Sequence, residues 1–343
     1  MRSPLSAADR AFFSEVSKAA FTNPFSPDRR DLDSRILGEV LPESERVPRL
    51  REVVASRIAR LDRAGRAHLS RFQGADQRMM RHVFLFAVYH EFYDALDRLV
   101  LDQLKAADTP CPVPFGRDAV HQLMSRGFSE SEAVRYFGIY FQVRRAHHFI
   151  GGRLTGRSAS MQDLRRHLWN CVFTHDIRWY ERYLWNRLED FSTLLLGETG
   201  TGKGTAAAAI GRAGFIPFDL NRNRFVESFT RSFVALNLSQ FPESLLESEL
   251  FGHKRGAFTG AVEAHEGIFS RCSAHGSIFL DEIGDVSVPV QIKLLQVLQE
   301  RTFSPVGSHE KLRFRGRVIA ATNRSLEQRR AEKLFRDDFF YRL

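Results

Sequence analysis

Apolar positions recur at helical spacing through the first half of the chain. Residues 46–64 place apolar side chains three and four positions apart, and residues 77–106 are rich in Phe, Leu and Val without a glycine or proline. Ser129, followed three positions later by Glu132, forms a capping box that predicts the start of a third helix. This pattern predicts an all-helical domain, which we place at residues 1–153.

Turn-forming residues and a change of composition limit these helices. The third helix is predicted to run to about Ile150, where Gly151 and Gly152 can end it. A fourth helical stretch, rich in Trp, Tyr and Arg, is predicted at residues 160–190, and the proline-rich residues 109–116 are predicted to form a loop.

The hydrophobic pattern changes near residue 190. Short apolar runs then alternate with glycine-containing turns and helical stretches, which is typical of a parallel sheet covered by helices. The predicted strands are STLLLG (192–197), SFVALNL (232–238), GSIFLDE (276–282) and RVIAATN (317–323). We therefore expect an α/β domain at residues 154–343.

Composition excludes several classes of protein. The chain has 343 residues, 43% of them hydrophobic and 27% charged, which is ordinary for two globular domains. It has no apolar run long enough to cross a membrane and no apolar segment of a signal peptide at its N-terminus, so we expect a cytoplasmic protein without a membrane partner. The formal charge of +9 includes no basic tail and does not by itself indicate a nucleic-acid binder.

Cysteine and histidine positions do not indicate a metal site. The three cysteines are far apart, at Cys111, Cys171 and Cys272. This spacing fits neither a zinc site nor a disulfide framework, so we expect reduced thiols. His147-His148 and His175-Asp176 could be ligands in principle, but histidines on an aromatic-rich helix more often serve packing.

A glycine-rich segment follows the first predicted strand and precedes an alanine-rich helix. Its glycines let several backbone N–H groups point at one phosphate chain, and the helix N-terminus adds partial positive charge. Lys203 is then placed to reach the β- and γ-phosphates of ATP. The residues of this predicted phosphate site are Gly197, Glu198, Thr199, Gly200, Thr201, Gly202, Lys203, Gly204 and Thr205.

Polar residues at the ends of two further strands complete the predicted site. A P-loop usually has Ser or Thr after its lysine to bind Mg²⁺, whereas this chain has Gly204, so magnesium must depend on other groups. Asp281 and Glu282 follow a strand, where one carboxylate can hold Mg²⁺ and the other can orient an attacking water. Thr322 and Asn323 could sense the γ-phosphate or could simply cap their strand.

Six segments together resemble the AAA+ domain of sigma-54-dependent transcriptional activators, the bacterial enhancer-binding proteins. They are ESLLESELFGHKRGAFTGA (243–261), the GETGTGK loop, FLDEIG, QIKLLQVLQERTFSPVG (291–307), RVIAATN and FRDDFFYRL (335–343). GAFTGA between a P-loop and a DE strand is diagnostic of that family. The resemblance covers about residues 154–343 and implies an α/β P-loop AAA+ core, a parallel sheet flanked by helices, behind an all-α N-terminal domain.

The resemblance also implies an activity and its partners. The expected activity is Mg²⁺-dependent ATP hydrolysis that remodels closed complexes of sigma-54 RNA polymerase holoenzyme. The expected assembly is a homo-oligomeric ring, a hexamer in the full-length protein. In the family the GAFTGA tip touches sigma-54, which assigns partner binding to Gly256, Ala257, Phe258, Thr259, Gly260 and Ala261.

The composition of that loop suits a reversible contact. Gly256 and Gly260 let the loop turn tightly and move. Phe258 is expected to be an exposed aromatic anchor, and Thr259 offers a hydroxyl that can bond across an interface.

Further catalytic roles are carried over by position from the family. Asp281 is the expected magnesium carboxylate, and Glu282 is the expected base that orients water. Asn237 matches the asparagine that can hold the catalytic glutamate until the nucleotide state changes. Arg336 and Arg342 match arginines supplied in trans to a neighbouring subunit's ATP; without the resemblance, either could be a surface salt bridge.

The chain departs from the family pattern at several places. The family usually has Glu where this chain has Gly204, and the segments before the P-loop (173–188) and between Lys203 and Asn237 are longer than expected. The chain stops at Leu343, before the helical lid and the helix-turn-helix domain that binds promoter or enhancer DNA in relatives. We therefore expect a fragment or a truncated form that binds ATP weakly.

Two other functions stay open from the sequence. One is a non-hydrolysing, nucleotide-gated regulatory or interaction protein, suggested by Gly204 and the large helical half. The other is an ATPase with a different target, which an intact GAFTGA argues against. The helical domain has no phosphoacceptor pattern of a response-regulator receiver, so we expect a sensory or regulatory domain whose ligand the sequence does not name.

Overall fold

The computed structural model describes residues 5–187 and 190–343, apart from the side chains of Glu43 and Ser244. These residues form two compact units. The helical unit contains the described residues up to His148 together with 155–183 and 215–226, and the α/β unit contains 149–154, 227–343 and the described part of 184–214. The sequence predicted one boundary between residues 153 and 154, whereas the chain passes between the two units several times.

Helices form almost all of the helical unit. They are α1 (Ala7–Ala19), α2 (Pro27–Leu37), α3 (Glu43–Arg63), α4 (Gly74–Glu91), α5 (Tyr93–Ala106), α6 (Gly116–Ser125), α7 (Glu130–His147), α8 (Ala159–Phe173) and the single turn α9 (Ile177–Trp179). The predicted capping box is confirmed at α7, where the Ser129 side chain accepts from the Glu132 N–H and the Glu132 side chain accepts from the Ser129 N–H. The predicted helix at residues 46–64 is confirmed as α3.

The run at 77–106 forms two helices, because the chain turns at Phe92. This residue has φ −93° and ψ 8° and separates α4 from α5. Its ring stacks on Phe115 with the ring centroids 5.9 Å apart. Tertiary packing of an aromatic side chain thus accompanies a break that neither glycine nor proline signals.

Strands and helices alternate from residue 190 onward. The elements are β1 (Thr193–Leu196), α10 (Lys203–Gly211), β2 (Phe218–Asp219), β3 (Arg224–Phe225), β4 (Phe233–Asn237), α11 (Glu243–Phe251), α12 (Ile268–Arg271), β5 (Ser277–Asp281), α13 (Val288–Glu300), β6 (Thr302–Phe303), β7 (Leu312–Arg313), β8 (Arg317–Thr322), α14 (Leu326–Ala331) and α15 (Asp337–Phe340).

The four predicted strands are confirmed as one parallel sheet. Its order is β1-β8-β5-β4, and every neighbouring pair is parallel. The central strand β8 is buried along its whole length, as is all of β5 except its last residue. Burial on both faces explains why these two segments are continuous apolar runs and do not alternate with polar residues.

A small hairpin that follows α10 belongs to the helical unit. Strands β2 and β3 pair antiparallel within residues 215–226. Phe218 packs edge-on against Phe137 of α7 at 4.7 Å between ring centroids, and Phe225 stacks on Phe141 of the same helix at 4.3 Å. The sequence indicated only that the segment from Lys203 to Asn237 is unusually long.

Membrane-spanning and metal-binding features were searched within 5–187 and 190–343. No helix in these ranges has the length and apolar character needed to cross a bilayer. They also contain no group of three or more His, Cys, Asp or Glu side chains that could hold a metal ion. None of the three cysteines forms a disulfide, and burial raises the pKa of the Cys272 thiol to about 12, which keeps it protonated at neutral pH.

Two buried histidines pack as neutral aromatic rings. The His147 ring stacks on Phe25 with centroids 5.4 Å apart, in agreement with a packing role. The pKa of both His90 and His147 is lowered to about 3, mainly by burial and in addition by the positive charges of Arg29 and Arg144. Above a pH of about 3, these two histidines therefore become protonated only when the protein unfolds.

We expect acid to destabilise the fold through these histidines. A folded pKa of about 3 lies below the ordinary value of 6.5, so the stabilisation is present above pH 6.5 and declines as the pH falls below it. From pH 7.5 to pH 5.5, His147 should cost about 1.4 kcal/mol of unfolding free energy. Urea unfolding at both pH values, followed by tryptophan fluorescence, should show His147→Phe losing about that much less than the wild type; equal losses would contradict the assignment.

Candidate functional site

The carboxyl ends of the parallel strands bring the predicted site residues to one edge of the sheet. Strand β8 lies between β1 and β5, so Asn323 follows a strand whose neighbours lead into the P-loop and into Glu282. The register places Leu196 beside Thr322 and Asn237 beside Asp281. Ligands of open α/β sheets bind at this edge.

The P-loop has the backbone conformation that its glycines predict. Gly200 and Gly202 have φ of +83° and +90°, a region that residues with a side chain rarely enter. Helix α10 begins directly afterwards at Lys203, and no side chain among the described residues caps its first turn. The uncapped N–H groups and the helix dipole make this turn a place for an anion.

Lys203 is held inside the loop by the loop's own carbonyl groups. Its Nζ donates to the oxygens of Gly197 and Glu198 at 2.9 and 3.0 Å. The hydroxyl of Thr201 also donates to the Glu198 oxygen, at 2.8 Å. The ammonium group is therefore already positioned beside the turn, while Thr205 stays exposed on the first turn of α10.

Asn323 connects the P-loop with the acidic pair. Its Nδ2 donates to the hydroxyl of Thr199 at 2.8 Å, and its backbone N–H donates to Oε2 of Glu282 at 3.2 Å. These contacts join three motifs that are far apart in the sequence. Of the two residues predicted to sense the γ-phosphate, the exposed Asn323 is thus the one that contacts both the P-loop and Glu282.

Thr322 has the second role that the sequence left open, that of a cap at the end of its strand. Its side chain is fully buried, and its hydroxyl accepts from the N–H of Arg324 at 3.0 Å. Thr322 therefore caps the end of its strand, and its hydroxyl is already committed to the protein's own backbone.

In the acidic pair Asp281-Glu282, the backbone of Glu282 is strained. Glu282 has φ +58° and ψ 43°, the left-handed region, although it carries a side chain. Its N–H donates to Oδ1 of Asp281 at 3.1 Å, and both residues are half-buried. Residues held in such conformations cluster at functional sites, where strain fixes the direction of a side chain.

Asn237 has a different partner from the one the sequence suggested. Its Oδ1 accepts from the N–H and the hydroxyl of Ser239, at 3.0 and 2.8 Å, and so caps the turn at 238–240. Glu282 is held by Asn323 in this structure. An exchange of partners with nucleotide state stays a prediction.

The two C-terminal arginines make local contacts. Arg336 forms a two-bond ion pair with Asp338 at 3.0 and 2.7 Å. Arg342 donates from Nε and Nη2 to the carbonyl of Leu298 near the end of α13, at 3.2 and 2.9 Å. Both lie outside the core, and their action on a neighbouring subunit stays a prediction.

The GAFTGA segment lies in a loop with a closed neck between α11 and α12. His253 and His265 exchange two backbone hydrogen bonds of 3.0 Å. Gly252, with φ +79°, lies so close to this strand-like pair that a Cβ would come within 2.5 Å of the His265 oxygen. The neck therefore requires glycine, a constraint that the sequence analysis did not identify.

The tip of the loop is turned tightly, and it is open around both glycines. Gly256 and Gly260 have φ of +79° and +102°, and no other atom lies within 4 Å of where their side chains would begin. The Gly256 N–H donates to the Ala261 oxygen at 2.8 Å and closes the turn.

Phe258 differs from the exposed anchor that we expected. It is half-buried, and its ring packs edge-on against His253 with centroids 4.9 Å apart. Thr259, next to it, is exposed. In this loop the Phe258 ring therefore packs against the neck, whereas Thr259 is exposed.

A second segment supports the loop and was not predicted. Val306 donates to the Gly252 oxygen at 2.9 Å and accepts from the Lys254 N–H at 3.1 Å. A Cβ on Gly307 would come within 2.7 Å of the Ala257 Cβ, so this glycine allows close approach to the loop. The motif PVG at 305–307 is the signal that could have indicated this support.

Comparison with known proteins shows what the second half of the chain is similar to. Residues 180–343 match the family model described as Sigma-54 interaction domain. The chain is 47% identical over 154 residues to the transcriptional regulatory protein GlrR of Escherichia coli K12, covering 45% of this chain and 32% of GlrR. It is 44% identical over 235 residues to the regulatory protein AtoC of the same organism, covering 67% of this chain and 44% of AtoC.

Other relatives show similar partial coverage. The Sigma54-dependent transcriptional activator SfnR of Pseudomonas putida is 46% identical over 152 residues, covering 44% of this chain and 38% of SfnR. The chain thus spans less than half the length of these curated relatives. A solved structure of NtrX from Brucella abortus in complex with ATP covers 66% of this chain and 44% of NtrX, with a TM-score of 0.43 and 22% identity, a level that supports no functional conclusion.

We expect Gly204→Ala to stabilise the chain. Gly204 is helical, and a Cβ there would meet only Phe279 among the described residues, at 3.9 Å, so alanine should gain about 0.4–1 kcal/mol through a less flexible unfolded state. Gly202→Ala is the matched control: with φ +90° it should lose about 1–2 kcal/mol. Thermal unfolding followed by circular dichroism checks both signs, and a destabilised Gly204→Ala would show that the first turn of α10 has no room.

Proposed function

We propose, from the match of residues 180–343 to the family model described as Sigma-54 interaction domain, that the protein hydrolyses ATP to remodel closed complexes of sigma-54 RNA polymerase. The observation that supports the hydrolytic part best is the double contact of Asn323. It links the phosphate loop to Glu282 at the edge where strands β1, β8 and β5 end. The GAFTGA loop, in the same unit, supports the sigma-54 part.

The P-loop residues fit the phosphates of ATP. The uncapped first turn of α10 supplies N–H donors, and the glycines with positive φ leave the loop free of side chains on the inside of its curve. Lys203 needs only to exchange its two carbonyl partners for phosphate oxygens. We propose that residues 197–205 bind the phosphates in this way.

The acidic pair fits magnesium by the chemistry of its donors. Mg²⁺ prefers oxygen ligands and usually keeps several waters, so one carboxylate from Asp281 beside the P-loop suffices for the protein's part. When bound, the ion would neutralise charge on the β- and γ-phosphate oxygens. Gly204 supplies no hydroxyl, which leaves Asp281 as the protein ligand that we propose.

Glu282 is the proposed base. Its backbone strain and the hydrogen bond from the Asn323 N–H fix one carboxylate oxygen, Oε2, and the other oxygen stays available to accept from water. A carboxylate held in this way can orient a water molecule for attack on the γ-phosphate and take its proton. Contact between Asn323 and Thr199 then makes the position of Glu282 depend on the shape of the phosphate loop.

The sequence order connects this site to the GAFTGA loop. Strand β4 ends at Asn237, the chain continues through α11 into the loop, and it returns through α12 to β5, which ends at Asp281. The first end of the loop segment therefore begins at the edge that holds the nucleotide residues, whereas its second end enters β5 at Ser277, on the opposite edge of the sheet. We propose that a change at this edge moves α11 and frees Phe258 from His253 to contact sigma-54.

Arg336 and Arg342 are proposed to complete a neighbouring subunit's site in a ring. Each arginine has a local partner that a phosphate could replace, because an exposed ion pair such as Arg336–Asp338 is weak in water. A guanidinium supplied in trans stabilises charge that develops on the transferred phosphoryl group. Hydrolysis would then depend on assembly.

Replacing Glu282 with glutamine separates this proposal from a non-hydrolysing nucleotide switch. Glu282→Gln should retain ATP binding and lower the hydrolysis rate at least about 100-fold, because the base is lost. Glu327→Gln, an exposed carboxylate in α14, is the matched control and should hydrolyse normally. Wild-type protein that binds ATP without hydrolysing it, or a Glu282→Gln rate equal to that of the wild type, would contradict the proposal.

Changes at the loop tip should separate hydrolysis from activation. Phe258→Ala and Thr259→Ala should abolish transcription from a sigma-54 promoter and capture of sigma-54 in a transition-state-analogue complex, because both remove groups from the proposed contact. ATP hydrolysis should stay within about twofold, as neither side chain touches the nucleotide edge. Leu334→Ala, an exposed apolar truncation in the same unit, is the control; parallel loss of hydrolysis and activation would indicate a structural loop.

A further inference from the structure

The helical unit encloses a cavity of about 410 Å³ that no part of the ATPase function uses. Its walls come from the segment between α1 and α2, from α2 and the start of α3, and from α4, α5, α7, α8 and α9. This volume is in the range of small-molecule sites. The cavity lies entirely among residues of this unit.

Aromatic side chains form much of the wall. They include Phe21, Phe86, Tyr89, Tyr93, Tyr140 and Trp169. Rings of this kind pack on planar apolar groups by stacked and edge-on contacts. The shape and chemistry of the wall therefore favour a ligand with an aromatic body.

One positive charge on the wall has no compensating carboxylate. Asp33 is 2% exposed; it accepts a hydrogen bond from Arg29 at 2.8 Å and forms an ion pair with Arg46 at 3.2 Å. Two guanidinium groups on one carboxylate leave a net charge of +1. A buried excess charge is costly unless a partner joins it.

The other charged groups on the wall cancel among the described residues. They form the pairs Arg51–Asp94 at 2.8 Å, Arg144–Asp97 at 2.9 Å and Glu181–Arg135 at 3.8 Å. The titratable rings add no charge at neutral pH. Burial lowers the pKa of His90 and His147 to about 3 and raises the pKa of Tyr89 to about 12. The net charge of +1 on the cavity wall therefore matches a ligand with a single negative charge.

Arg144 supplies a hydrogen-bond donor for that charge. The residue is 6% exposed, its Nε donates to Asp97, and its guanidinium lies over the Tyr93 ring at 4.2 Å. Its Nη1 has no hydrogen-bond partner within the described part of the chain. Buried donors are nearly always satisfied in proteins, so this nitrogen indicates that a ligand atom completes the site.

We propose that the cavity binds a small aromatic monocarboxylate. Its carboxylate accepts a hydrogen bond from Nη1 of Arg144 and balances the charge of the Arg29–Asp33–Arg46 cluster. Its ring system packs among the tyrosine, phenylalanine and tryptophan side chains. The proposal concerns binding alone and does not rest on ATP hydrolysis or on sigma-54.

Isothermal titration calorimetry with three acids and their amides tests the class of ligand. The probes are phenylacetate, indole-3-acetate and 2-naphthoate, each beside the corresponding neutral carboxamide. At least one acid should bind, and its amide should bind at least about tenfold more weakly, because it lacks the charge that the cavity compensates. Absence of binding by all three acids, or equal binding of an acid and its amide, would overturn the assignment.

Substitutions in the chain test the position of the ligand. Arg144→Gln should weaken binding of the acid at least about tenfold. Arg57→Gln is the matched control, because Arg57 also pairs with a carboxylate, Asp9, and also lies over an aromatic ring, that of Phe12, and none of these residues lines the cavity.

A second substitution keeps the test decisive if Arg144→Gln does not fold. Val143→Phe fills the cavity from the same helix without changing its charge, and circular dichroism confirms that each variant is folded. Val143→Phe should abolish binding of the acid, whereas Arg57→Gln should bind within about twofold of the wild type. Unchanged binding by a folded Arg144→Gln or Val143→Phe variant would place the ligand elsewhere and overturn the proposal.

Discussion

The parallel register of β1, β8 and β5 is the constraint on which the nucleotide site depends. It brings three loops that are far apart in the sequence to one edge of the sheet, and the side chain and backbone of Asn323 then join two of them. Burial of β5 and β8 on both faces fixes this register, because a shift along either strand would draw the polar residues at its ends into the apolar core. The apolar strands therefore fix the positions of the polar residues at this edge of the sheet.

In the helical unit, α7 has a comparable position. Tyr140 and Arg144 on this helix line the cavity, while Phe137 and Phe141 pack against the 215–226 hairpin. A helix used on opposite faces is apolar nearly all round, which agrees with the many buried residues of α7. Within this unit, α7 is thus the element that both a cavity ligand and the hairpin would contact.

Local signals in the sequence predicted much of the architecture, and long-range packing produced what they missed. Apolar runs marked the four parallel strands, and glycine spacing marked the P-loop, because both depend on neighbouring residues. The turn at Phe92 depends on packing against Phe115, and the position of Phe258 depends on the fold of the loop that brings its ring against His253. The two-residue strands of the 215–226 hairpin are too short to give a periodic pattern.

The hairpin also limits where the sequence could be divided to exchange the helical unit for another domain. Residues 215–226 are encoded inside the α/β half of the sequence, yet their phenylalanines complete the core of the helical unit, and a Cβ on Gly138 of α7 would come within 2.8 Å of Phe215. An exchange of input domains by recombination at residue 153 or 190 would separate the two parts of one core. The helical unit and the hairpin must therefore be inherited together, and an engineered chimera has to transplant both segments.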